Sequence, residues 1–235
     1  MDSTTDRVIL ITGATGELGR VSARLFADEG ARLALAGTDA GRLRDVATDL
    51  GLADDRWLPV VVDLSDRDAT RDALTATESA LGRIDVLLHL VGGWSGGTPI
   101  AELDPAEVVG MLDQHLWTTL HVTQTVVPGM VQRGWGRVMA VSAPVAAEPT
   151  AKSAAYSIGM AAKETLLRTL ARETADTGVT VNLVVVKAID KDRVRTTDPK
   201  KVSWTTPEEI AEVFRFLASE EAATITGARI PLFGR

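Results

Sequence analysis

The chain contains no cysteine. Disulfides, thiolate nucleophiles and cysteine-bound zinc are therefore excluded, and no metal site is expected. No apolar run approaches the ~20 residues that a membrane-crossing helix needs. The opening segment, Met1-Asp2-Ser3-Thr4-Thr5-Asp6, has no apolar signal core. Basic residues are in the minority, 25 Lys and Arg against 32 Asp and Glu, for a net charge of −7. There is no basic stripe with interleaved aromatics, so nucleic acid is not an expected partner. Histidine occurs three times and tyrosine once. No repeat, low-complexity tract or linker divides the chain. Its 235 residues, 45% hydrophobic, suffice for one α/β domain spanning 1–235 with a large core. A soluble, cytoplasmic protein without membrane contact is the expectation.

Short β-branched runs alternate with helical patterns. Strands are predicted at 7–12, 31–36, 58–62, 85–91, 137–142, 180–186 and 228–232. Helices are predicted at 18–29, 40–50, from the Ser65-Asp66 cap to 81, at 154–174 and at 207–218, with two helical patterns in near succession between 105 and 130. Gly30 closes the first helix, and Thr205-Thr206-Pro207-Glu208-Glu209 carries cap and N1-proline signals for the last. Strand–helix alternation means right-handed crossovers and a doubly wound parallel sheet of about seven strands, a Rossmann-type α/β fold with helices on both faces. Ligands of such sheets bind beyond the strand C-termini, where the strand order reverses.

The loop after the first strand reads Thr12-Gly13-Ala14-Thr15-Gly16-Glu17-Leu18-Gly19. Its glycines allow a tight turn and close approach of a pyrophosphate to the helix N-terminus. Glu17 can be read in two ways. It either points to solvent, or it brings a carboxylate to the amides that a phosphate would use. The end of the second strand carries Gly37-Thr38 where an acidic residue would bind the ribose hydroxyls of NAD. NADP(H) is therefore the expected preference over NAD(H), although no arginine follows and Arg42 reads as a solvated helix charge. Asp63-Leu64 would lie beside an adenine, with the Asp63 carboxylate accepting from the exocyclic amine.

These landmarks, with Leu90-Val91-Gly92-Gly93, Gly136-Arg137-Val138, Tyr156, Val181-Asn182 and Ile225-Thr226-Gly227, resemble the short-chain dehydrogenase/reductase family over nearly the whole chain. Val91 to Gly97 and Ser203 to Pro207 are similar to the dihydropteridine reductase-like branch. The resemblance implies a nicotinamide cofactor held by Gly13, Thr15, Gly16, Leu18, Gly19, Thr38, Asp63, Leu64, Val91 and Gly92. It implies catalysis by a tyrosine that exchanges a proton with the substrate oxygen. A serine, a lysine and often an asparagine assist. It also implies dimers or tetramers formed through the helices near 105–130 and 154–174.

Only the tyrosine of that set is kept, as Tyr156. The serine position is Ala143, the lysine position Met160, the asparagine position His115, and Pro-Gly after the sixth strand reads Val186-Lys187. Ser142 is adjacent to Ala143 but faces the opposite side of its strand. A free tyrosine titrates near pH ~10, so roughly one in a thousand is ionised at neutral pH. Without a neighbouring ammonium Tyr156 should stay a neutral phenol, able to protonate a carbonyl but not to deprotonate an alcohol. Loss of the lysine should also cost the cofactor about tenfold in affinity. Lys163, about 10 Å further along the helix, either stands in for that lysine or is a plain surface or interface residue, the latter being the expectation. His115 could pair with Tyr156 as acid and base or fill the asparagine's structural role. His89 borders the same crevice, and His121 reads as structural. Trp94 and Trp117 could stack on a flat or aromatic substrate or belong to core or interface. The segment 187–204 reads as a solvated mobile loop whose basic excess would suit an anionic ligand.

Three functions follow: an NADP(H)-dependent reductase of a small carbonyl or enone using Tyr156, a redox-inactive subunit partnered with an intact family member, and a non-redox cyclase or dehydratase using Tyr156 and His115. Fold alone does not choose among them.

Overall fold

The computed structural model describes residues 5–234, so most of the polar opening segment lies outside the described residues. Seven parallel strands form one sheet in the order β3-β2-β1-β4-β5-β6-β7. They are β1 Val8–Thr12, β2 Arg32–Gly37, β3 Trp57–Val61, β4 Val86–His89, β5 Gly136–Ser142, β6 Val179–Val185 and β7 Arg229–Pro231. The helices are α1 Glu17–Asp28, α2 Ala40–Asp49, α3 Arg67–Leu81, α4 Pro105–Leu112, α5 Thr118–Arg133, α6 Ala154–Glu173 and α7 Pro207–Ala218. Each predicted element is present, with ends displaced by a residue or two except for α5, which runs on to Arg133.

The central strands are buried throughout, as their unbroken apolar runs require. Two cores result. Val122, Val126 and Leu167 close one face of the sheet from α5 and α6, while Phe26, Leu43 and Phe214 close the other from α1, α2 and α7. Pro59 sits in edge strand β3, where a missing donor is tolerated. Thr206 and Glu209 form a reciprocal capping box that fixes the start of α7.

The two helical patterns between 105 and 130 are joined without a break. Residues Asp113–Trp117 form a π-helical turn between α4 and α5. Such a turn carries one extra residue and redirects side chains. Here it turns His115 inward, where the ring is buried.

Candidate active site

The strand order reverses between β1 and β4, and the crevice opens at their C-terminal ends. Two adjoining cavities of about 580 and 590 Å³ occupy it and share Gly13, Gly16, Leu90, Val91 and Gly92. The first is walled by Thr15, Thr38, Asp63 and Leu64. The second is walled by Leu18, Gly19, His115 and Tyr156. Every residue expected to hold the cofactor, and both expected to act on substrate, therefore lines one continuous crevice.

The phosphate loop is shaped by its glycines. Gly13 has a left-handed φ of 68°, and a Cβ there would approach the Leu90 carbonyl at 3.2 Å. A Cβ on Gly19 would lie 2.5 Å from the Gly13 carbonyl oxygen. These contacts leave a bare backbone cradle at the N-terminus of α1, which fits a dinucleotide pyrophosphate. The adjoining cavity offers Asp63 for an adenine. Asp63 already accepts from the Ser65 amide and hydroxyl at 2.9 and 2.7 Å, and these bonds hold its carboxyl below the usual range.

Tyr156 lies on the first turn of α6, and its hydroxyl makes no hydrogen bond to any described residue. Burial raises its pKa, so the phenol is neutral. Met160 is buried one turn on. Ala143 is buried, and Ser142 is committed elsewhere: its hydroxyl donates to Glu164 at 2.6 Å, and Glu164 accepts from Arg229 at 2.7 Å.

Lys163 departs from expectation. It is 3% exposed, lines the crevice, and carries its Nζ to 3.5 Å from His115 Nδ1. The sequence places it two turns from Tyr156 on the same face. That face packs against the π-turn and borders the crevice, so Lys163 is not a plain surface residue. Burial lowers its pKa to about 8, against a smaller upward pull from Glu164. His115 Nε2 lies 3.0 Å from the Gly93 carbonyl, and its ring meets Tyr156 edge-on at 5.7 Å. Burial, and then the Lys163 charge, lower the His115 pKa to about 4. His89 is held between Thr12 and Thr118 at 3.0 and 3.3 Å and is pushed down to about 3, chiefly by burial. His121 binds the Leu64 carbonyl through Nδ1 at 3.0 Å, a structural role.

Glu17 neither points free into solvent nor caps its own helix. It pairs with Arg193 at 2.9 Å, and Arg193 also pairs with Glu208. The segment after β6 is likewise anchored rather than a free solvated loop. Asp190 is fully buried and accepts from the Val194 and Arg195 amides, and Arg195 grips Glu209 with two hydrogen bonds of 2.6 Å. These pairs absorb much of its basic excess, but Lys191 still lines the crevice. Trp94 lines the crevice with most of its surface exposed, whereas Trp117 stacks on His121 away from it.

The short chain dehydrogenase family model matches residues 7–201. The chain belongs to that family. It is 33% identical, over 97% of its length and 93% of the relative's, to the BbsC subunit of a hydroxy(phenyl)methylsuccinyl-CoA dehydrogenase from Thauera aromatica. It is 29% identical to an acetoacetyl-CoA reductase from Cupriavidus necator, over 98% of each chain. The L-sorbose reductase of Gluconobacter frateurii, solved with NADPH and L-sorbose, superposes with a TM-score of 0.88 at 25% identity, covering 100% of this chain and 98% of that one. With this family and this site, the chain is a short-chain oxidoreductase with a nicotinamide-nucleotide crevice.

Proposed function

We propose that the protein binds NADP(H) in preference to NAD(H) and reduces a carbonyl or enone, with Tyr156 as the proton donor. The observation that carries this reading is the unpaired, neutral Tyr156 hydroxyl in the same crevice as the phosphate loop. A nicotinamide cofactor bound in the crevice would supply the hydride for this reduction. Tyr156 gives its proton to the oxygen and is reprotonated from solvent. Desolvation disfavours the phenolate that oxidation would need, so at neutral pH Tyr156 is in the protonated form that reduction uses. With neither acid nor arginine at Gly37-Thr38, the preference for NADP(H) is modest. Ala143 and the Val91 to Gly97 segment support the dihydropteridine reductase-like branch.

A coenzyme A thioester with a flat acyl group is the substrate class we favour. Two relatives are named for coenzyme A thioesters, one of them phenyl-bearing. Trp94 offers an exposed aromatic face, and Lys191 a cation for an anionic substrate, at the crevice. Titration with NADPH and NADH by tryptophan quenching, then reduced-nicotinamide consumption with acetoacetyl-CoA and an aryl analogue, tests this reading. Absence of binding at millimolar nucleotide refutes it.

A second reading has its own support. The 33%-identical relative is named as a subunit. Here the π-turn, α5 and α6 carry an apolar groove lined by Leu116, Leu120, Val127, Leu166 and Leu170. In this reading the chain is the redox-inactive member of an assembly with an intact family member. A stable complex on co-expression supports it, and a homodimer or homotetramer with its own turnover refutes it. The non-redox reading gains least, because both ring nitrogens of His115 already have partners.

A further inference from the structure

His115 sits in a slot built by two glycines. A Cβ on Gly92 would come within 2.7 Å of its Cε1, and one on Gly159 within 3.1 Å of its Cδ2. The ring is packed closely against the turn after β4 and the first turns of α6. Its Nε2 faces the Gly93 carbonyl at 3.0 Å. A carbonyl only accepts, so Nε2 carries the ring proton. The neutral ring then presents Nδ1 as an acceptor, and the donor opposite it is Lys163 Nζ. The other charged or titratable neighbours are accounted for. Glu164 is bound by Ser142 and Arg229, His89 by Thr12 and Thr118, and Tyr156 meets the ring only edge-on.

A continuous chain thus runs from α6 to the floor of the crevice: Lys163 Nζ, His115 Nδ1, His115 Nε2, Gly93 O. The Gly92-Gly93 turn at its end forms part of the nucleotide cavities. We propose that Lys163 is a positioning residue for nicotinamide-nucleotide binding, holding His115, which in turn holds the Gly92-Gly93 turn on which the cofactor would lie. Groups that touch a ligand bind well only when the groups behind them are locked. Met160 carries no charge, and Lys163, which borders the same crevice, serves it through His115. This inference rests on the cofactor reading above.

Long-range proton–nitrogen NMR of the ligand-free protein, with only three histidines to assign, reads the His115 tautomer directly. The expected spectrum has the proton on Nε2. Lys163→Met should shift Nδ1 and move the His115 pKa up, while Lys163→Arg retains the wild-type pattern. Lys163→Met should also weaken NADPH binding about tenfold, the loss of one charge-assisted hydrogen bond, and Lys163→Arg should recover most of it. The methionine variant removes a buried charge and leaves no acid unpaired, because Glu164 keeps Arg229. A proton on Nδ1, a His115 spectrum indifferent to Lys163→Met, or unchanged nucleotide affinity would each overturn the proposal. Failure of the wild-type protein to bind either nucleotide defeats the cofactor reading instead, and the histidine spectra still decide whether Lys163 holds His115.

Discussion

Met160→Lys puts a second ammonium one turn from Lys163. Both positions are buried on the same face of α6, at 2% and 3% exposure. Side chains three apart on a helix have Cβ atoms about 5–6 Å apart. Two unit charges about 6 Å apart at an effective dielectric near 20 repel by about 3 kcal/mol. That repulsion lowers the pKa of one of the two amines by about two units. Met160→Lys alone should therefore destabilise the protein, while Met160→Lys combined with Lys163→Met should restore much of the loss. A double-mutant cycle of urea denaturation should give a coupling of about 1–3 kcal/mol. It should vary little with salt, because buried charges are poorly screened. At saturating NADPH, which offsets the weaker binding expected from Lys163→Met, turnover should rise in the double variant more than in the single one, since only there is the new ammonium undisturbed beside Tyr156. Coupling below about 0.5 kcal/mol would refute the argument, because distant independent sites add within that margin.

Acid should destabilise the fold through His115. Its folded pKa of about 4 lies below the ordinary 6.5, so its contribution is complete above 6.5 and is lost as pH falls towards 4. Denaturation midpoints measured from pH 7 to 4 should therefore fall less steeply in His115→Asn. Lys163, lowered to about 8 from 10.5, carries its full penalty below pH 8 and sheds it as pH rises to 10.5. The stability advantage of Lys163→Met over wild type should thus shrink across that window, and a constant difference would contradict the burial of its charge. Glu17→Gln removes a carboxylate from the phosphate-binding end of α1. NADPH affinity by calorimetry should rise a few-fold at low salt, with a smaller gain at high salt because the Glu17–Arg193 pair is half-exposed. Gly19→Ala forces a methyl group to within 2.5 Å of the Gly13 carbonyl. Thermal unfolding should reveal a loss of about 1–3 kcal/mol from overpacking, and nucleotide binding should fail in the same variant.

Local pattern determined much of this protein. Unbroken apolar strands, capped amphipathic helices and the position of Gly13, Gly16 and Gly19 between β1 and α1 fixed a doubly wound sheet and its phosphate loop. Chain order then brought Thr38, Asp63, Leu64, Val91 and Gly92 to the same edge, because successive parallel strands all end there. Ala143 and Met160, at the positions where the resemblance implies a serine and a lysine, are read directly from the sequence. Tertiary structure alone decided where the long charged side chains went. Lys163 reads as one more polar residue on α6, and only the packing of that helix against the π-turn sends its amine inward to His115. The pairing of Glu17 with Arg193 joins residues 176 positions apart and depends on how the segment after β6 folds back over α1. Backbone periodicity is written in neighbouring residues. The destination of a flexible side chain is set by whatever the rest of the chain places within its reach.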